Sequence, residues 1–188
     1  MVLKFLVTRL SVGQLEQLPA LAASLHCDWQ AEHDLKPRLD GNTDPQSLRI
    51  EEADLPRTLQ FVEVGSDHPS QLSLRGSNIL CSGGRNLGSV NARGEVLPCI
   101  IWPDAWSLGN VLTHSFGEIW RGPRAQQFRK STTGRHSSQC AECEEEPWCE
   151  RCPAVSLLLE GDVRSPYPTA CEHARIRRRA AATAEKVP

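Results

Sequence analysis

The chain of 188 residues carries 21 Lys and Arg against 23 Asp and Glu, a formal net charge of −2, with 39% hydrophobic residues. That balance gives no general electrostatic reason to bind nucleic acid or a membrane surface, and no apolar run reaches the length of a membrane span. Val2 to Val7 is too short, and too broken by Lys4, to serve as a secretory signal, so a cytoplasmic location with reduced thiols is expected.

In chain order, Val2, Leu3, Phe5, Leu6 and Val7 predict a buried strand. Leu15, Leu18, Leu21, Ala22 and Leu25 recur at helical spacing, with Pro19 placed in the first turn or at a kink. Trp29 to Leu35 predicts a second strand, completing a βαβ unit, and Lys36 to Pro45 reads as a loop. A second helix is expected from Asp54 as N-cap, with Pro56 in its first turn and Leu55, Leu59 and Val62 on one face. One such unit leaves open sheet edges, so residues 1–62 read as the trailing end of a larger α/β barrel, with 63–80 as linker. Cys27 is expected to be a structural thiol, and His26 and His33 are assigned no role.

From Cys81 the register changes. Twelve residues separate Cys81 from Gly94, four separate Gly94 from Cys99, and forty separate Cys99 from Cys140. Cys143, Cys149 and Cys152 follow after two, five and two residues, and Cys171 after eighteen more. Two CxxC pairs with flanking cysteines are a strong metal signal, because short spacers let thiolates converge on one centre. Seven cysteines fill one four-ligand site and leave three. A zinc site would complete the second set with His114, His136 or His173, whereas an iron–sulfur cluster can be held by three cysteines; both metals favour thiolates, so spacing leaves both open.

The order of the cysteines resembles the SPASM domain, the C-terminal auxiliary-cluster domain of radical S-adenosylmethionine (radical SAM) enzymes. Gly94-Glu95-Val96-Leu97-Pro98-Cys99, Leu108-Gly109-Asn110-Val111 and Glu118-Ile119-Trp120 carry the likeness, and Pro37-Arg38-Leu39-Asp40-Gly41 resembles the exit from the radical SAM barrel. The resemblance implies an α+β chain: a βα remnant of the barrel, then a small SPASM domain over 81–175 with a β-hairpin, short helices and metal-binding loops, then a basic tail at 176–188. It implies two [4Fe–4S] clusters, the first held by Cys81, Cys99 and Cys152, the second by Cys140, Cys143, Cys149 and Cys171. Two residues, rather than the family's usual three, separate Cys149 from Cys152, which could draw Cys152 to the second cluster. No CxxxCxxC motif is present, so this chain alone is not expected to cleave S-adenosylmethionine, and no residue is assigned a catalytic role. The resemblance admits a peptide or protein substrate and a radical SAM partner chain.

Of the supporting residues, Ser115 and Glu118 form a capping box for a helix through Trp120, and Pro123 opens the next helix, to Lys130. Gly109-Asn110 predicts a turn. Trp102 and Trp106 could line a lip over the first cluster, but core packing is the better reading. Glu142, Glu144, Glu145, Glu146 and Glu150 read as a solvated face, and Arg175, Arg177, Arg178 and Arg179 as a solvated, frayed terminal helix.

Overall fold

Strand β1 (Val2–Leu6) pairs in parallel with β2 (Asp28–Glu32), Val2 opposite Asp28 and Leu6 opposite Glu32. The crossover between them is a 3-10 turn over Val12–Gln17 followed by α1 (Leu18–Ser24). The predicted single helix is split there: Pro19 sits in the first turn of α1, where its missing N–H costs nothing. Leu15, Leu18 and Ala31 bury with Val7 in one small core, while Leu21 and Leu25 of the same stripe stay exposed. β2 stops three residues short of the expected Leu35, because the Glu32 carboxylate takes the amides of His33 (3.1 Å) and Asp34 (2.9 Å) in place of a ladder. The computed structural model describes residues 1–65, 79–134, 138–140 and 142–184, so most of the expected linker, and His136, lie outside the described residues.

Helix α2 (Leu55–Gly65) begins as expected, the Asp54 carbonyl accepting the Thr58 N–H at 3.0 Å. Phe61 packs on Trp29, ring centres 5.2 Å apart, and closes the N-terminal core. Leu55 and Leu59 lie instead against Ile176, which docks the N-terminal unit onto the cysteine-rich part.

Among the described residues, that part holds a three-stranded antiparallel sheet in the order β3 (Ser89–Val90), β4 (Glu95–Leu97), β5 (Gly109–Asn110), with four α-helices. These are α3 (Phe116–Arg121), α4 (Pro123–Ser131), α5 (Pro153–Glu160) and α6 (Pro168–Ala184). The described residues are α+β, with one small parallel and one small antiparallel sheet among them. The capping box forms as predicted: Ser115 Oγ accepts the Glu118 N–H, and the Glu118 carboxylate accepts the Ser115 N–H.

Two expectations fail in this region. Gly109-Asn110 is not a turn but a strand, Val96 opposite Gly109 and Glu95 opposite Asn110. A Cβ on Gly109 would sit 3.0 Å from Ile119, so glycine is there to let α3 close on the sheet; the turn follows, with the Asn110 side chain accepting the Leu112 N–H at 2.8 Å. The terminal arginines are not all solvated either. α6 runs unbroken to Ala184, and Arg177, 9% exposed, pairs with Glu150 at 2.6 Å. Arg178 reaches Glu144 at 2.8 Å and Glu145 at 3.3 Å, so part of the acidic face is a dock for α6.

The packing reading of the tryptophans is the right one for Trp102, which is fully buried against Trp106 (4.8 Å) and edge-on to Phe128 (4.9 Å). Burying so large a ring contributes several kcal/mol, roughly 4 to 6 by area, which makes it the centre of a core shared with Val96, Leu108, Ile119 and Ala154.

Candidate metal centres

Cys81 sits at the start of a tight loop laid flat against the end of β4. Gly84 has φ +67 and donates its N–H to the Pro98 carbonyl at 3.0 Å, while the Gly83 N–H points at Cys81 Sγ, 3.2 Å away. A side chain on Gly84 would meet the Phe128 ring at 2.7 Å, so this backbone approach requires glycine. Arg85 pins the loop from below, donating to the Cys81 carbonyl (3.2 Å), Thr132 (2.8 Å) and Thr133 (2.7 Å). Cys99, buried at the end of β4, has the amides of Ile101 and Trp102 directed at its sulfur. Cys152 is the N-cap of α5, its N–H donating to Tyr167 Oη at 3.2 Å.

These three thiols act on one another. Burial pushes the Cys81 thiol up to about 11, and the neighbouring Cys152 and Cys99 add to the rise. Cys99 is pushed up in the same way, by burial first and by Cys152 among its neighbours. Thiolates that raise each other so need a cation to become stable together.

The other four cysteines surround a separate cavity. The Cys143 N–H bonds the Cys140 carbonyl (3.2 Å), and the Glu146–Trp148 turn then delivers Cys149, whose N–H bonds the Glu146 carbonyl (3.1 Å). Cys171 enters from the first turn of α6. Cys140, Cys143, Cys149 and Cys171 line one cavity of ≈ 60 Å³. Burial raises the Cys149 thiol, with Cys171 and Cys140 contributing, and raises Cys171, with Cys140 and Cys143 contributing.

Two residues, Glu150 and Arg151, lie between Cys149 and Cys152. Cys149 and Cys152 are both extended, and three extended steps span up to about 10 Å. Between them Glu150 faces α6, and Arg151, 6% exposed, donates to the carbonyls of Val163 (2.8 Å) and Ser165 (3.2 Å). Burial lowers the Arg151 guanidinium, while Cys149 first, then Cys140, Tyr167 and Cys152, act to raise it.

Tetrahedral zinc draws its thiolates to within about 3.8 Å of one another. Among the described residues no three His, Cys, Asp or Glu side chains converge tightly enough for one ion. The second group encloses space several times the 10–15 Å³ or so that one water needs. His114 is exposed in the turn after β5, bonded to Thr113, and the His173 ring lies 5.2 Å from that of His33; neither completes a cysteine set.

Residues missed from sequence alone are Arg151 and Tyr167, whose hydroxyl accepts the Cys152 N–H. Only Arg151 had a signal, its place between two cysteines.

Residues 81–153 match the family model of SPASM, an iron–sulfur cluster-binding domain. The segment is a SPASM iron–sulfur cluster-binding domain; Cys171 lies beyond the matched stretch. No curated protein matches the chain.

Proposed function

We propose that the domain carries two [4Fe–4S] clusters, one on Cys81, Cys99 and Cys152 and the other on Cys140, Cys143, Cys149 and Cys171. In this reading the chain is the auxiliary-cluster module of a radical SAM-type enzyme acting on a peptide or protein. The observation that carries it is the separation of seven thiols into a mutually interacting trio and a quartet around one cavity. Bound clusters supply one-electron transfer. The protein's share is to hold the thiolates and direct the amides of Gly83, Ile101 and Trp102 at sulfur. The βαβ unit docked through Leu55, Leu59 and Ile176 is read as the adjoining part of a radical SAM barrel. Without a CxxxCxxC motif, the chain by itself leaves S-adenosylmethionine intact.

Anaerobic reconstitution with iron and sulfide, followed by metal analysis, tests the reading. It expects about eight irons and eight sulfides per chain. One or more tightly held zinc ions with negligible sulfide would favour the zinc-stabilised interaction module instead.

A further inference from the structure

Both backbone polar groups of Cys152 are held, and so is its conformation. Pro153, the first residue of α5, restricts Cys152 to the extended region it occupies, φ −90 and ψ 117. The Cys152 carbonyl accepts the Ser156 N–H at 2.9 Å, and the Cys152 N–H donates to Tyr167 Oη at 3.2 Å, across fifteen residues of chain. The side chain makes no capping bond to α5, so the thiol is left to serve as a ligand. Tyr167 is 3% exposed and shares a small core with Val155 and Ala170, which seats its ring and therefore its hydroxyl. At the start of α6 its carbonyl accepts the N–H groups of Ala170 (3.1 Å) and Cys171 (3.3 Å). One residue thus bonds to a member of each cysteine set: its side chain to Cys152, its main chain to Cys171.

We propose that Tyr167 is a positioning residue for the first centre: its hydroxyl fixes the Cys152 amide and thereby aims the Cys152 sulfur at the site shared with Cys81 and Cys99. The proposal rests on the two-cluster reading above. Cys149, assigned there to the other centre, is only three positions away, so the direction in which Cys152 points decides which set it joins. With amide, carbonyl and dihedrals fixed, the residue keeps only its side-chain torsion. Removing the hydroxyl frees the amide, whereas the main-chain bond to Cys171 survives any change of side chain. The second centre is therefore a control within the same molecule. Partners that orient a ligand in this way are worth about 10–100-fold in metal affinity.

The test uses the full chain, reconstituted anaerobically. Iron and sulfide are measured first, and their absence from the wild-type chain would sink the cluster reading itself rather than the role of Tyr167. The paramagnetic signal missing from Cys81→Ala identifies the first centre. Tyr167→Phe removes one oxygen and keeps the ring. Under challenge with EDTA its first-centre signal is expected to disappear at about tenfold lower chelator than in the wild type, with the second-centre signal and the circular dichroism unchanged. A first-centre signal as resistant as in the wild type overturns the proposal, and so does loss of both signals alike, the outcome of a packing role. Hydrogen exchange at the Cys152 amide, read by mass spectrometry on the loaded wild-type chain, tests the bond without any substitution. Protection is expected there, and free exchange overturns the proposal as well.

Discussion

Gly84→Ala is the sharpest probe of how the fold positions Cys81. Two costs add at this residue. An alanine must take φ +67, worth about 1 kcal/mol or more for a residue with a Cβ. Its methyl would also overlap two Phe128 ring carbons at 2.7 and 2.8 Å. Phe128 is 4% exposed and wedged edge-on against Trp102, so it has no free space to move into, and such overpacking costs about 1–3 kcal/mol. The variant should therefore lose roughly 2–4 kcal/mol in anaerobic urea unfolding followed by circular dichroism, together with the iron of the first centre. A double-mutant cycle separates the two costs. Phe128→Leu is destabilising alone, but in the Gly84→Ala background it removes the overlap and leaves the dihedral cost, so a coupling of at least about 1 kcal/mol is expected. Strict additivity would refute the contact, and an unchanged iron content with full destabilisation would refute the link between this loop and Cys81.

Two further outcomes follow from the structure. His33 is 6% exposed with neither ring nitrogen hydrogen-bonded among the described residues, and burial first, then Arg177, hold it down at about 4 from an ordinary 6.5. The unfolded chain binds a proton between pH 6.5 and 4 that the folded chain refuses. Stability is thus whole above 6.5 and falls as the pH drops through that window, by up to about 3 kcal/mol. His33→Phe should flatten that fall in urea midpoints compared at pH 7 and pH 5, and an unchanged slope would contradict it. Ser115→Ala removes the side chain that caps α3 and should cost about 1 kcal/mol in the same assay, with both centres retained; loss of iron would mean that α3 supports the site more directly than its contacts imply.

Much of this was legible in the chain because it is local. The βαβ unit, the Pro19 and Pro123 helix starts and the capping box each follow from a few neighbouring residues. The cysteine spacing pointed to metal binding for the same reason, and residues 81–153 match an iron–sulfur cluster-binding domain. What was not legible depends on distant partners. Gly109 reads as a turn former until Ile119 of α3 is seen pressing on its Cα, and Arg177 reads as a tail residue until Glu150 meets it across the cluster loop. Arg151 belongs to a residue type that normally faces water, and nothing local marks it as buried.

The central claim is that the seven thiols serve two centres, with Cys152 on the side of Cys81 and Cys99. Alanine variants of Cys81, Cys143 and Cys152, each reconstituted anaerobically and reduced, test it through residual iron and the remaining paramagnetic signal. Cys143→Ala should lose about four irons and keep one signal. Cys81→Ala should lose the complementary set and keep the other, and Cys152→Ala should match Cys81→Ala. A Cys152→Ala spectrum that instead matches Cys143→Ala would contradict the division.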